Sequence, residues 1–259
     1  MREVISLDGR WKFHRGDIVV PRPVDKGAVY IQSKNERKHI GPASYYYFDR
    51  PDCYYAERQM HNEGWEYVSV PHDNDVDQDI DKTQNTAHGF LKYDNAWYRK
   101  DFTLSEEYAD KRILLQFDGI ATHSEIYLNG SLMKRNFSAY NSFEIDITNN
   151  VYFDRENVIA VYVNTDEYEG WWYQGGGIYR SVRMVVTDSV AIDRYGVYAP
   201  YKKINEHDWQ INFETTLVND DYESCKVSIK SEVIDSNGKL VAEGVCDVNI
   251  NERTKKTYY

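Results

Sequence analysis

The stretch Ser124–Asn136, SEIYLNGSLMKRN, decides the fold of the surrounding chain through the dipeptide at its centre, Asn129-Gly130. Asn-Gly between two strand-like arms is a strong hairpin signal, because a two-residue type I′ turn requires a positive φ at both central residues. This stretch therefore predicts an antiparallel β-hairpin near the middle of the chain.

Strand patterns continue on both sides of the hairpin, and helical periodicity is nearly absent. The one weak helix candidate, Ser105–Ile113, is too short, and we expect a turn there with Ser105 as its N-cap. Alternating apolar residues predict further strands. These lie in KRILLQFDG (111–119), SFEIDIT (142–148), NVIAVYVN (157–164) and YRSVRMVVTD (179–188).

Residues 189–259 form a second group of strand patterns. SVAIDRYGVYAPY (189–201) predicts a crossing strand, and DWQINFETTLVND (208–220) predicts one continuous strand with alternate residues from Trp209 to Leu217 on one face. A hairpin is predicted over 225–250, turning at Asn237-Gly238. These roughly four strands fall short of the seven or so of an immunoglobulin-type sandwich, which predicts an incomplete second sandwich. The predicted inward face of the hairpin comprises Cys225, Val227, Ile229, Val233, Leu240, Ala242, Cys246, Val248 and Ile250.

Composition excludes some classes of partner. The 259 residues carry a net charge of −11, whereas nucleic acid and anionic membranes require a basic footprint. The 23 tyrosines suit both β-structure and sugar recognition. Three cysteines without CxxC spacing, Cys53, Cys225 and Cys246, are interpreted as free thiols. With no apolar signal sequence or membrane span evident, we expect a cytoplasmic location.

Five motifs occur in an order that resembles a known family. They are LDGRWKFHRGD (7–17), VSVPHD (68–73), AWYRKDFTL (96–104), LQFDGIATHSEIYLNG (115–130) and GGGIYRSVRM (175–184). Together they resemble the N-terminal sugar-binding domain of glycoside hydrolase family 2, the group of β-galactosidases, β-glucuronidases and β-mannosidases. The resemblance covers about 7–186 and extends loosely into the family's immunoglobulin-like domain.

The strand patterns and the resemblance together imply an all-β chain. We expect a jelly-roll sandwich at 1–188, followed by an incomplete immunoglobulin-like sandwich at 189–259. In the family, a (β/α)8 barrel follows and carries both carboxyl groups that retaining hydrolysis requires. A barrel needs about 250 residues of its own, so we assign no catalytic residue in this chain. The Tyr-rich stretch Pro21–Trp65 is interpreted as a long ordered loop or insertion.

The resemblance also points to two stretches that face the sugar. In EGWWYQGGGIYR (169–180), several relatives carry a sugar-binding Asp six residues before the last Gly, and Trp171 stands there in this chain. Trp171 and Trp172 would therefore contact the sugar by stacking, with any polar contact made by Glu169, Gln174 or the barrel. Packing of the two indoles against the barrel would give the same sequence pattern. In GFLKYDNAWYR (89–99), Asp94 and Asn95 are the candidate polar contacts; ordinary turn capping explains them equally well.

The sequence contains one incomplete motif for metal binding. DNDVDQDIDKT alternates Asp from Asp73 to Asp81, but an EF-hand loop would require Gly and Glu where Gln78 and Gln84 stand. No metal site or cofactor is assigned, and a looser structural calcium site in this loop stays open. His72 of the PHD motif is interpreted as a structural hydrogen-bonding residue.

The expected function is the non-catalytic N-terminal portion of a retaining β-glycosidase of the β-galactosidase type. This portion would scaffold the absent barrel and help to wall its sugar subsite. The implied partners are a terminal β-linked sugar, the barrel and, in the intact parent, further copies in a homo-oligomer. Two alternatives remain: a free-standing carbohydrate-binding module, and a purely structural or oligomerisation domain.

Overall fold

The computed structural model describes residues 2–18, 41–45, 47, 64–166 and 170–259. Cys53, Glu169 and most of Pro21–Trp65 lie outside these residues, and the statements made about them from the sequence stay predictions. Within the described ranges the regular structure is almost entirely β-strand, as predicted, and no helix is long and apolar enough to cross a membrane.

The strands of the described residues are, in chain order, β1 (Arg2–Ser6), β2 (Trp11–Arg15), β3 (Trp65–Val68), β4 (Ala96–Thr103), β5 (Arg112–Phe117), β6 (His123–Leu128), β7 (Ser131–Asn136), β8 (Phe143–Asp146), β9 (Glu156–Asn164), β10 (Val182–Thr187), β11 (Val190–Tyr198), β12 (Tyr201–Lys203), β13 (Trp209–Ile211), β14 (Glu214–Asn219), β15 (Cys225–Ile234), β16 (Leu240–Ile250) and β17 (Thr254–Tyr258). Short 3₁₀ turns occupy Thr86–His88 and Glu106–Tyr108.

The chain divides into two compact units. The larger comprises Val4–Ala109 and Ile113–Val185, and the smaller comprises Met1–Glu3, Asp110–Arg112 and Val186–Tyr259. The larger unit is built on a six-stranded sheet, in the order β3-β2-β4-β9-β6-β7, and a four-stranded sheet, in the order β1-β10-β5-β8. Their apolar residues supply most of the buried side chains, as expected for a β-sandwich.

The central hairpin forms as the sequence predicts. Asn129 and Gly130 have φ values of 50° and 84°, and β6 pairs with β7 around them. The side chain of Asn129 adds contacts beyond the turn: its Nδ2 donates to Asn150 O at 3.0 Å and to Asn157 Oδ1 at 2.9 Å, and its Oδ1 accepts from Val158 N at 2.9 Å. One turn residue therefore fastens the hairpin to the start of β9.

The predicted turn at Ser105 is also confirmed, with the Ser105 hydroxyl accepting from Glu107 N at 3.4 Å. On the outer face of β4, Arg99 is almost fully buried. Its guanidinium donates to the carbonyls of Pro42 and Ser44, the latter at 2.7 Å. This buried cation thereby attaches the short segment 41–45 to the six-stranded sheet.

The smaller unit differs from the prediction in two respects. Its seven strands form three separate sheets, β11-β14-β17, β12-β13 and β15-β16, so the predicted number of about four is too low. The continuous strand expected at 208–220 is broken at Asn212 and Phe213, and its halves join different sheets. Trp209 is therefore exposed while Leu217 is buried, although the alternation placed them on one face.

The predicted hairpin at 225–250 is confirmed, with Gly238 at a φ of 81°. The predicted inward face is mostly a real face of this ribbon, since Val227 pairs with Val248 and Ile229 with Cys246. A shift in register after Val233 disrupts the pattern at the Leu240 end. Contrary to the prediction, the face is largely uncovered within the described residues, and of its predicted members only Ile250 is buried.

We expect Asn129→Ala to lower the free energy of unfolding of the larger unit by about 2–3 kcal/mol, because it removes three hydrogen bonds and places Ala at a positive φ. Asn149→Ala is the matched control, since Asn149 is exposed and has an ordinary φ; it should cost under about 0.5 kcal/mol. Urea unfolding of the three proteins gives both numbers. Equal losses would show that the side-chain contacts of Asn129 contribute nothing.

Candidate functional site

Two loops of the larger unit meet at the three consecutive glycines. The backbone of His72–Asp75 runs beside Gly175–Ile178, with His72 N donating to Ile178 O at 2.8 Å and Asn74 N to Gly176 O at 3.2 Å. On the other side, Gly177 and Ala121 exchange hydrogen bonds of 2.8 and 2.9 Å through their backbone groups. The glycine segment is therefore held between two neighbouring loops by main-chain hydrogen bonds.

The glycines are required because their neighbours leave no room for a Cβ atom. A Cβ on Gly175 would lie 2.5 Å from Asp73 Oδ2, and one on Gly176 would lie 2.4 Å from Asp75 Oδ2. At Gly177, where φ is +86°, a Cβ would lie 2.1 Å from the hydroxyl oxygen of Tyr98. Close approach explains the run of three, and positive φ adds to it at Gly175 and Gly177.

Gly177→Ala is expected to destabilise the larger unit by at least about 2 kcal/mol more than Gly16→Ala. Both residues have φ near +85°, but a Cβ on Gly16 meets nothing within 4 Å. The difference between the two variants in urea unfolding isolates the steric contact with Tyr98 from the strain of positive φ. Equal losses would mean that the surrounding loops move aside freely.

Two carboxylates beside the glycines have different environments. Asp73 Oδ1 accepts from the backbone N–H groups of Asp75 and Gly176, each at 3.0 Å, and its Oδ2 accepts from the Tyr173 hydroxyl at 2.9 Å. Asp75 is fully buried, and burial raises its pKa to about 7. Its Oδ1 accepts from Asn74 Nδ2 at 2.9 Å and Gln78 Nε2 at 3.1 Å, while its Oδ2 has no hydrogen-bond partner among the described residues.

The raised pKa of Asp75 predicts a pH-dependent stability. A carboxyl group with a folded-state pKa near 7 and an unfolded value near 4 stabilises the fold fully below pH 4 and loses that contribution as the pH rises to 7. Asp75→Asn removes this dependence. We expect the unfolding free energy of the variant, relative to the parent, to rise by at least about 1 kcal/mol between pH 5 and pH 8.

Urea unfolding at the two pH values measures this difference. His72→Gln is an opposite-sign comparison: burial lowers the pKa of His72, so removing this group should make the stability of the variant, relative to the parent, fall as the pH rises. A relative stability of Asp75→Asn that stays constant from pH 5 to pH 8 would show that Asp75 is ionised throughout.

The two predicted sugar-binding tryptophans differ in their contacts. Trp172 lies against the backbone of Gly170 and donates its indole N–H to the Tyr140 hydroxyl at 2.7 Å, which leaves it 51% exposed. Trp171 is 91% exposed. Tyr173 is 36% exposed, and its hydroxyl donates to Asp73. The loop therefore presents a free indole face at Trp171 from a well-anchored base.

Asp94 and Asn95 lie on the segment beside this loop. Asp94 N donates to Asp75 Oδ1 at 3.3 Å, and Asp94 O accepts from Asn74 Nδ2 at 3.0 Å. The Asp94 carboxylate pairs with Lys92 at 2.7 Å. Asn74 and Asp75 thus hold the backbone of both predicted sugar-facing segments, a connection that the sequence spacing did not reveal.

Asn95 is buried, and its side chain is used internally. Its Nδ2 donates to Asp17 at 3.2 Å and to Asp166 at 3.1 Å, and its Oδ1 accepts from Thr165 N at 2.9 Å. Asn95 is therefore placed to orient the carboxylates of Asp17 and Asp166. Direct contact between Asn95 and a ligand stays a prediction.

Gln174 has unused polar atoms beside the tryptophans. Its backbone N–H donates to the Tyr93 hydroxyl at 3.0 Å, and the rings of Tyr93 and Tyr173 lie 6.0 Å apart. Its side chain is 9% exposed, and neither amide atom has a hydrogen-bond partner among the described residues. A buried amide without partners is costly, so the Gln174 side chain is suited to bind an enclosed water molecule.

The structural interpretation of His72 is confirmed, because its Nδ1 lies 2.8 Å from the Tyr98 hydroxyl. In the acidic loop, Asp73 and Asp75 bind backbone and side-chain N–H groups, as described above. Within the described ranges, no group of three or more His, Cys, Asp or Glu side chains is arranged to hold a metal ion.

Comparisons with known proteins point to one enzyme family. The family model described as glycosyl hydrolase 2 galactose-binding domain-like matches residues 72–172. A β-galactosidase of Bacteroides ovatus is 32% identical over 182 residues, which cover 69% of this chain and 21% of the relative. A β-glucuronidase of Formosa agariphila is 28% identical over 213 residues, covering 72% of this chain and 21% of the relative. The chain spans about a fifth of the length of these relatives.

Solved structures share the fold. A glycosyl hydrolase family 2 member from Bacteroides cellulosilyticus has a TM-score of 0.75 at 25% identity, and the match covers 98% of this chain and 30% of that one. A Bacteroides uniformis β-glucuronidase has a TM-score of 0.75 at 18% identity, covering 100% of this chain and 27% of that one. The second likeness is one of fold alone.

Proposed function

Since the chain belongs to glycoside hydrolase family 2 and carries its N-terminal β-sandwich region, we propose that it is the non-catalytic N-terminal portion of a retaining β-glycosidase of the β-galactosidase type. A jelly-roll domain at 1–188 and an immunoglobulin-like sandwich at 189–259 make up this portion. Its task is to scaffold a catalytic (β/α)8 barrel and to wall the sugar subsite. The relative from Bacteroides ovatus, named a β-galactosidase, supports this type, while other relatives are named β-glucuronidases.

The observation that carries the proposal is the exposed indole of Trp171 on an anchored loop. A large aromatic ring that is 91% exposed loses the stability that its burial would give. The neighbouring side chains of Trp172 and Tyr173 are each fixed by a hydrogen bond, at 2.7 and 2.9 Å. A flat ring presented from a fixed base suits stacking on the apolar face of a pyranose, and Trp172 extends that surface.

Polar groups around the loop favour a neutral sugar. Gln174 has a buried amide without partners among the described residues, so its side chain would have to change rotamer before it could bind a sugar hydroxyl. Asp94 adds a carboxylate that is 17% exposed and is neutralised by Lys92. The Asp73 carboxylate accepts from the Tyr173 hydroxyl and has no cation partner among the described residues. A glucuronate would bring a further negative charge here, whereas a galactoside would not.

The smaller unit supports the scaffolding role. A groove of about 470 Å³ lies along the ribbon formed by β15 and β16, lined by apolar side chains that include Ile211, Ile229, Val245 and Tyr258. Exposed apolar surface of this kind marks a place where further protein packs. The same surface is unsuited to a free-standing carbohydrate-binding module, which would keep such a face closed.

Catalysis would reside outside this chain. Asp75 has the perturbed pKa that is typical of catalytic carboxyl groups. It is nevertheless fully buried behind Gly176, so no substrate atom can reach it. Its role is to hold the backbone of Asp94. The cytoplasmic location and the homo-oligomeric parent stay predictions.

We expect Trp171→Ala, in the complete enzyme, to lower kcat/KM for a chromogenic β-galactoside at least about tenfold, because the stacking surface is lost. The melting temperature should stay within about 1 °C, since an exposed ring contributes little to folding. Trp209→Ala removes an exposed indole from the smaller unit and is the matched control; its kcat/KM should equal that of the parent.

An unchanged kcat/KM in Trp171→Ala would show that the loop does not contact the sugar. The module alternative is tested on this chain alone, by tryptophan fluorescence during titration with galactose, glucuronate and mannose. A saturable change that Trp171→Ala abolishes would mean that the loop binds sugar without a barrel.

A further inference from the structure

A row of side chains crosses the outer face of the six-stranded sheet. Strand register places Trp97 of β4 opposite Tyr162 of β9, Tyr162 opposite Glu125 of β6, and Glu125 opposite Arg135 of β7. Directly paired residues lie on the same face of a sheet, so these four side chains form one continuous line. The neighbours Ser124, Ile126 and Val163 point to the opposite face and are buried there.

The aromatic half of the row is a packed platform. The rings of Trp97 and Tyr162 have centroids 4.8 Å apart at an angle of 39°, and Tyr127 lies 6.3 Å from Trp97 at 33°. Tyr162 donates its hydroxyl to Asp17 Oδ1 at 2.7 Å, and the Tyr127 hydroxyl donates to Glu125. These bonds fix the rings, so the platform is rigid before any ligand arrives.

A pocket of about 280 Å³ opens where this platform meets the polar half of the row. It is lined by Tyr162, Phe137, His123, Asn164, Glu125 and Arg135, together with Ser124. Phe137 is 68% exposed, and its ring is held edge-on against His123 at 5.6 Å. The volume suits one hexose ring, which would lie against an exposed aromatic side chain.

The polar lining is organised for hydroxyl groups. Arg135 Nε donates to Glu125 Oε1 at 2.8 Å, which fixes both side chains and leaves the terminal N–H groups of Arg135 for a ligand. Asn164 Oδ1 accepts from Asp166 N at 3.0 Å and retains a second lone pair. The ion pair of Glu125 and Arg135 is neutral overall, while Asp17 and Asp166 beside it add negative charge.

We propose that this pocket is a second carbohydrate-binding site, which takes a single neutral pyranose between Phe137 and the row Tyr162–Glu125–Arg135. The sugar ring lies against Phe137, and its hydroxyl groups bind Arg135, Glu125 and Asn164. The two carboxylates of Asp17 and Asp166 disfavour a uronate. The site goes beyond the proposed function, because it uses neither Trp171 nor a catalytic barrel.

Nitrogen-15 NMR of this chain, titrated with methyl β-D-galactopyranoside, tests the proposal. We expect saturable shifts in the backbone amides of His123, Arg135, Phe137 and Asn164. Phe137→Ala should raise the Kd obtained from these shifts at least about tenfold, while Phe137→Tyr, which keeps the ring, should stay within about twofold. Trp171→Ala and Tyr195→Ala should leave the Kd unchanged, since both residues lie outside the pocket.

Glucuronate should bind at least about fivefold more weakly than the galactoside at low salt, and this difference should shrink as salt is added. Shifts confined to Trp171–Gln174, or their absence at His123, Arg135, Phe137 and Asn164 up to the solubility limit of the sugar, would overturn the proposal. So would binding that Phe137→Ala leaves intact. Failure of the proposed function would appear instead in the activity of Trp171→Ala in the complete enzyme, which does not involve Phe137.

Discussion

The close approach of the glycine backbone to Asp73, Asn74, Asp75 and Tyr98 is the constraint on which the rest of the site depends. Separations of 2.1–2.6 Å from a would-be Cβ leave glycine as the residue that fits at 175, 176 and 177. Hydrogen bonds from Gly176 N to Asp73 Oδ1 and from His72 N to Ile178 O then hold this segment in place. Because the segment cannot shift, the aromatic residues just before it emerge from the surface at a fixed point.

Flexible residues thus produce a rigid site. Glycine has the greatest conformational freedom in an unfolded chain, yet here it permits contacts that any side chain would prevent. Asn74 and Asp75, both fully buried, transmit the same restraint to the backbone of Asp94. The cost is a buried carboxyl group with a raised pKa, which makes the stability of the loop depend on pH.

The sequence predicted those features that depend on local chemistry. The Asn129-Gly130 and Asn237-Gly238 turns, the cap at Ser105 and the all-β fold follow from turn geometry and alternation. Alternation failed at 208–220, because it does not reveal which sheet each half of a strand joins. It also could not show that the face of the 225–250 hairpin is left largely uncovered, since burial depends on what packs above a face.

Trp171 and Trp172 were identifiable as candidates through family resemblance. The role of Asp75 was not, because it arises from tertiary contacts with Asp94 and Gly176, which lie outside its own segment of sequence.

Charge would distinguish the kinds of sugar that the two proposed binding surfaces accept. Near Trp171, the charge of Asp94 is balanced by Lys92, but Asp73 has no described cation partner. Near Tyr162, Glu125 is balanced by Arg135, but Asp17 and Asp166 share the amide of Asn95 and have no cation partner among the described residues. Each surface therefore combines an aromatic face with an excess of negative charge, in a chain whose net charge is −11. Binding of a uronate normally relies on cationic side chains in excess of the local carboxylates. The charges of Lys92 and Arg135 are already balanced by Asp94 and Glu125. If the proposed sites bind sugar, a neutral galactoside is thus the ligand that they would take without a rearrangement of these pairs.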